Sequence, residues 1–271
     1  MSALELAFSP CPNDTFVFHA WTHGLVPDAP PVKVSFADVD ITNGAAERGE
    51  FDVVKVSYAA LPWLLAEYAL LPCGGALGRG CGPLVLSKGD RDDLNAAVVA
   101  VPGERTTAYL LMRLWAAGQS PANIEVVPFA EIMPGVRDGR FDAGLVIHEA
   151  RFTYQNYGLT QLADLGQWWE GSTGHPIPLG AILARRSLDT AALAEVVRAS
   201  VDYAFAHPAA SAGYVAEHAD EMDPHVQRQH IELYVNEFTR DLGETGYAAI
   251  AELLGRAQAA GLVPELSGPL R

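Results

Sequence analysis

Two stretches of this chain read almost alike. Glu50-Phe51-Asp52-Val53-Val54-Lys55-Val56-Ser57-Tyr58 is echoed about ninety residues later by Arg140-Phe141-Asp142-Ala143-Gly144-Leu145-Val146-Ile147-His148. Each follows a short polar helical piece with a glycine, Gly49 or Gly139, and each apolar run stops at a polar side chain. The repetition predicts two similar α/β lobes. The same Gly-x-Phe-Asp pattern also occurs as an ordinary helix-to-strand connection, and that reading stays open here. Under either one, Ser57–Tyr58 and Ile147–His148 stand at the carboxyl ends of strands, where ligands of open α/β sheets bind.

The rest of the chain continues the alternation. Strands are predicted at Leu4–Phe8, Val32–Phe36, Phe51–Ser57, Ala69–Cys73, Pro83–Ser87, Ala97–Val101, Ile124–Phe129, Phe141–Ile147 and Leu179–Ala184. Helices are predicted over about 15–23, 43–48, 58–68, 106–117 and 131–138. A helical region from about Leu188 to Gly261 is broken at Pro208, Pro224 and Gly243–Gly246. Strands alternating with helices imply βαβ units and largely parallel sheets. A chain of 271 residues, 49% hydrophobic, can bury one large core or two modest ones.

Several residues at the predicted strand ends can carry chemistry. In Val101-Pro-Gly-Glu-Arg-Thr-Thr-Ala-Tyr109, Thr106 or Thr107 caps a helix whose first N–H groups, with the helix dipole, suit a carboxylate or phosphate. An ordinary N-cap has the same sequence. His148 stands at a strand end with Glu149 and Arg151 nearby, and histidine moves protons near neutral pH. His-Glu-Ala-Arg-Phe is not HExxH, so zinc is not implied. Lys55 is a charge inside an apolar strand and needs a partner or a ligand. The loop Ser9-Pro-Cys-Pro-Asn-Asp14 offers Ser9 and Asn13 as hydrogen-bonding groups. Gly74-Gly-Ala-Leu-Gly-Arg-Gly-Cys-Gly82 matches no nucleotide fingerprint. It is either a close approach to a ligand, with Arg79 as an anion contact, or a bent crossing between lobes. Trp168-Trp169 reads as packing, and the histidines from His207 onward read as surface residues.

Net charge excludes some partners. With 18 Lys+Arg against 33 Asp+Glu the chain carries −15, which repels nucleic acid and anionic membranes. A small anionic ligand held by a few local cations remains open. No apolar stretch reaches membrane-spanning length. Glu5 interrupts what would be the core of a secretory signal. The three cysteines, Cys11, Cys73 and Cys81, form neither CxxC nor a metal-ligand spacing, and read as free thiols of a cytoplasmic protein.

Taken together, Ser9-Pro-Cys-Pro-Asn-Asp-Thr-Phe16, Lys55-Val-Ser-Tyr-Ala59, Gly74–Gly80, Val101-Pro-Gly103, Thr106-Thr-Ala-Tyr109, Ile147-His-Glu-Ala-Arg-Phe-Thr-Tyr154 and Pro178–Ala184 resemble the 1,4-dihydroxy-6-naphthoate synthase family of the futalosine route to menaquinone. The resemblance covers essentially the whole chain. It implies the two-lobed type II periplasmic-binding-protein-like fold, with a ligand cleft between lobes. Residues 1–90, completed by 181–271, would form one lobe, and 91–180 the other. It further implies a lyase that starts from cyclic dehypoxanthine futalosine, with His148 as the base. Lys55, Val56 and Ser57 would bind substrate, as would Thr107 and Ala108. No redox cofactor or metal is implied, since aromatisation drives the reaction. Chorismate dehydratase of the same pathway and solute-binding proteins share the fold and stand as alternatives.

Overall fold

The computed structural model describes residues 2–89, 91–148, 150–219 and 223–271. Glu149, placed beside His148 by the sequence, lies outside them. The chain opens with β1 (Leu4–Phe8), α1 (Pro12–Thr22), β2 (Val32–Phe36), α2 (Val39–Glu47), β3 (Val53–Ser57) and, after a 3-10 turn, α3 (Leu61–Leu64). Next come β4 (Tyr68–Leu70), β5 (Ala76–Gly78), β6 (Leu84–Ser87), β7 (Val98–Val101), α4 (Thr107–Trp115), β8 (Asn123–Val126), α5 (Phe129–Arg137) and β9 (Ala143–Val146). Then follow α6 (Ala150–Thr153), β10 (Thr160–Asp164), α7 (Leu165–Thr173) and β11 (Ile177–Arg185). The helices α8 (Thr190–Ala206), α9 (Ala212–His218), α10 (Pro224–Tyr234), α11 (Glu237–Arg240) and α12 (Gly243–Ala259) complete it.

The strands form two sheets. One runs β2-β1-β3-β11-β4, with β5 also paired to β11; the other runs β10-β6-β9-β7-β8. Within the first, β1 is parallel to β2 and β3, and β11 is antiparallel to β3. In the second, β7 is parallel to β8 and β9. Each sheet is therefore the base of one lobe. Strand pairing puts the crossings at about 79–83 and 165–176, rather than near 90 and 180. Thus β6 pairs with β9 and β10 in the second sheet, while all of β11, from Ile177, pairs in the first.

The echoed segments are β3 and β9. Both are buried on every residue because helices cover both faces of each sheet. The glycine-rich stretch resolves as a short strand and a crossing. Space is tightest at Gly82: a Cβ there would sit 2.1 Å from the backbone nitrogen of Gly166, where the two crossings touch. Neither position has room for a side chain. Trp169 is buried in the core beneath this contact, and its indole N–H donates to Pro176 O at 3.0 Å.

Three differences from the predicted elements have clear causes. Helix α1 begins at Pro12 because a proline fits the first helical turn, where its missing N–H is not needed. Strand β10 has no apolar alternation to announce it, being an edge strand paired only to β6 with its first residues exposed. The residues of β5 are held by pairing to β11 despite their glycine-rich surroundings.

Candidate active site

A cavity of about 670 Å³, including its mouth, lies between the two sheets. Its walls are built from strand ends. Ser9 and Asn13 follow β1, Lys55 and Ser57 close β3, Thr106–Ala108 follow β7, and Ile147–His148 follow β9. Leu179 and Gly180 of the antiparallel β11 enter at the same level.

Strand alternation sorts the predicted binding residues. Lys55 and Ser57 lie two apart and share the cavity face. Val56 lies between them and packs into the core on the opposite side, so it is not a lining residue. Arg79 is also outside the cavity. It lies on the exposed crossing, where its guanidinium donates to Gly174 O at 2.9 Å and approaches Glu170 at 3.7 Å.

Lys55 has both a partner and a place in the cavity wall. Its ammonium pairs with Asp14, whose carboxylate is fully buried. Asp14 also accepts from Ser9 Oγ at 2.8 Å and from Asn13 Nδ2 at 2.7 Å. Gly180 makes room for the lysine stem, since a Cβ there would come within 2.7 Å of Lys55 Cε. Asn13 in turn meets His230 Nε2 at 2.9 Å through Oδ1. A carboxylate cannot donate, so Asn13 presents its amide to Asp14 and its carbonyl to His230. His230 must then carry its hydrogen on Nε2.

His230 was expected on the surface. It is instead buried in the cavity wall, with its ring centroid 6.2 Å from that of His148. Asp14, which directly precedes the helix predicted from about 15 and so stands where a cap would, uses its carboxylate instead to hold Lys55. The buried face of α10 carries Gln227, His230 and Tyr234, spaced three and four apart. That helical spacing was the available signal for His230.

On the opposite wall, Thr106 is the N-cap of α4, its Oγ1 accepting from Tyr109 N at 3.1 Å. Thr107 has another task. Its hydroxyl donates to Leu179 O at 2.7 Å and accepts from Ala59 N at 3.2 Å, tying the second lobe to the first. What Thr107 and Ala108 offer a ligand is their backbone N–H groups at the amino end of α4. Thr107→Val should therefore weaken the protein more than ligand binding. A loss of roughly 1–3 kcal/mol in unfolding free energy is expected from the two orphaned backbone groups. Denaturant titration checks it; unchanged stability with a raised KM would return the hydroxyl to ligand binding. Ser57 and Asn43 are joined twice: the Ser57 N–H donates to Asn43 Oδ1 at 2.8 Å and Asn43 Nδ2 donates to Ser57 Oγ at 3.2 Å, which leaves the Ser57 O–H to donate elsewhere. The same Asn43 amide reaches Arg105 O at 3.3 Å, and Arg105 pairs with Glu47 and stacks 4.7 Å above Trp63. The lobes are thus linked by several polar contacts around the cavity.

His148 has left-handed backbone, with φ +57°, which non-glycine residues seldom adopt. Its Nδ1 touches Cys11 Sγ. Burial, and then the nearby Lys55 cation, pull its pKa from 6.5 down to about 3. Burial does the same to His230, which is held well below the usual value, with His148 and Lys55 adding to it. Both rings are therefore neutral near pH 7. Burial pushes the Cys81 thiol up to about 12, so this lining group is no thiolate nucleophile. Among the described residues, no three His, Cys, Asp or Glu side chains converge to hold a metal ion.

The two depressed histidines fix a pH dependence of stability. In the unfolded chain they take up protons near pH 6.5, while the folded state resists until pH is far lower. Stability is then complete above about 6.5 and is lost as pH falls below it, by up to about 1.4 kcal/mol per pH unit for each histidine. Denaturant midpoints should drop between about pH 7 and 5 in the wild type, and drop less in His148→Asn. Equal drops in the two proteins would show that His148 is not held neutral by the fold.

Comparison with known proteins agrees with this geometry. A family model described as menaquinone biosynthesis matches residues 4–259. A 1,4-dihydroxy-6-naphtoate synthase from Streptomyces coelicolor is 67% identical, over 98% of this chain and 96% of its own. One of the same name from Thermus thermophilus is 48% identical, over 100% and 99%. A crystal structure from Archaeoglobus fulgidus superposes with TM-score 0.90 at 32% identity, over 96% of this chain and 98% of that one. A Candida albicans protein with the generic periplasmic-binding-protein fold gives TM-score 0.68 at 13% identity, over 100% and 99%, a likeness of fold alone. With nearly its whole length matched, and with sheets and strand-end cavity of the expected kind, the chain belongs to the menaquinone-biosynthesis family.

Proposed function

We propose that this protein is a 1,4-dihydroxy-6-naphthoate synthase, a carbon–carbon lyase acting on cyclic dehypoxanthine futalosine, and that it works in the cytoplasm. The observation that carries the reading is the neutral His148 at the strand-end cavity, opposite the Lys55–Asp14 pair. A base must be unprotonated to act, and burial together with the nearby Lys55 cation favours the neutral ring. In the proposed reaction His148 removes a proton from the bicyclic carboxylate and the fused sugar-derived ring opens. Cleavage of a carbon–carbon bond then releases the sugar fragment, and the remaining rings aromatise.

Lys55, Ser57 and the amino end of α4 supply the groups that suit the substrate carboxylate. An anion bound beside Lys55 would offset the smaller of the two causes that depress His148, the nearby cation. The lobes, joined through 79–83 and 165–176, would close over the ligand and exclude water from the reacting centre.

The test is to incubate purified protein separately with cyclic dehypoxanthine futalosine and with chorismate, following both by chromatography. Formation of 1,4-dihydroxy-6-naphthoate from the first and no change in the second is the expected result. Consumption of chorismate alone would assign the dehydratase reaction, and binding without turnover would make the protein a carboxylate-binding module.

A further inference from the structure

Cys11 and His148 belong to different lobes. Cys11 is the N-cap residue of α1 beside the first sheet, and His148 follows β9 of the second. They meet through Cys11 Sγ and His148 Nδ1. A neutral imidazole carries hydrogen on one nitrogen only. For Nε2 to take up a proton, hydrogen must sit on Nδ1, and whatever faces Nδ1 must accept it. If the thiol donated instead, hydrogen would sit on Nε2, and the ring would have no lone pair there. The amino end of an 11-residue helix favours the electron-rich role for an atom at its cap. The left-handed backbone of His148 is a second mark of the same arrangement. This residue holds an unfavourable conformation where its ring meets the other lobe.

We infer that Cys11 is a positioning residue for His148: its sulfur accepts the Nδ1–H hydrogen bond across the cleft, and so leaves the Nε2 lone pair for the ligand when the lobes are closed. The inference deepens the lyase proposal and rests on His148 being its base. In the step concerned, Nε2 takes a proton from a ligand C–H bond and the electron pair of that bond stays on the ligand carbon. The resulting imidazolium keeps its Nδ1–H on sulfur, and nothing is oxidised or reduced. Because the two partners sit on separate lobes, closure itself assembles the oriented base. An open molecule has the imidazole but not its orientation.

The experiment compares wild type, Cys11→Ala and Cys11→Ser in the full-length protein. In Cys11→Ala, kcat should fall roughly 10- to 100-fold, as when a partner that orients a histidine is removed, with KM changed only a few-fold. In Cys11→Ser, whose oxygen accepts the same bond, most of that loss should be recovered. Histidine ¹⁵N NMR with 1,4-dihydroxy-6-naphthoate bound should show the Nδ1–H form of His148 in wild type and Cys11→Ser, and a mixed population in Cys11→Ala. An Nε2–H form in the wild type would overturn the inference. So would a folded Cys11→Ala variant with wild-type kcat. Should Cys11→Ala fail to fold, the tautomer in wild type and Cys11→Ser still decides. Should wild type not turn over the futalosine substrate, the lyase proposal fails on its own while the NMR result stands separately.

Discussion

His148→Asn should remain folded, bind substrate within a few-fold of wild type, and lose roughly 10²–10⁴ in kcat, the usual contribution of a general base. Asparagine keeps a planar, hydrogen-bonding side chain of similar reach, but it cannot take up the proton. It is also a residue that tolerates left-handed backbone, so the φ of +57° at this position is accommodated. A histidine serving structure alone gives the reverse pattern, with a lower Tm and near-normal turnover of the folded fraction. Measuring Tm, substrate affinity and kcat on one preparation separates the two. With burial and Lys55 pulling the ring down to about 3, the acid limb of kcat/KM due to His148 should lie well below the ordinary histidine range. A limb near 6.5 that vanishes in His148→Asn would show that the free enzyme does not hold this ring in a dry site.

Lys55→Met should be the most destabilising single change at the cavity. It leaves the carboxylate of Asp14, fully buried, with only the neutral donors of Ser9 and Asn13. Stranding one partner of a buried pair costs about 3–5 kcal/mol. Methionine fills most of the lysine stem, so the loss reports charge rather than packing. Adding Asp14→Asn to Lys55→Met removes the stranded charge and should recover most of the stability. Ligand binding should not recover, because the cation is still missing. A double variant that regained both would make Lys55 purely structural, and a single variant with wild-type Tm would show that the pair contributes nothing to the fold.

The parts of the site carried by single strand ends were legible beforehand. His148 and Ser57 each follow from an apolar run that stops at a polar side chain, Lys55 from being a charge inside such a run, and Thr106 from its place after Pro102-Gly103. The parts made by tertiary contact were not. Asp14 looks like a helix cap until Lys55 is placed against it from 41 residues away. His230 lies on a helix of low mean hydropathy, and its importance comes from Asn13, 217 residues earlier. Val56 shows the opposite error. It belongs to the triplet Lys55-Val56-Ser57 in sequence, yet alternation along β3 turns this middle residue away from the cavity. In the fold, buried parallel strands stood out as apolar runs. The edge strand β10 did not, because exposure removes the pattern that would reveal it.

The position of β11 has a consequence for how the molecule is made. It lies between β3 and β4 in the first sheet, yet it is the last strand in the chain. During synthesis the amino-terminal strands leave the ribosome first but cannot complete their sheet. The edges of β3 and β4 stay open until residue 185 has emerged, and α8 and α12, which also pack on this sheet, come later still. The second sheet, by contrast, is contiguous from β6 to β10 and takes no strand from either end of the chain. The nascent protein therefore completes its middle before its beginning. Its early strands are the segment for which a chaperone has the longest use, since unpaired strand edges are what draw incomplete chains together.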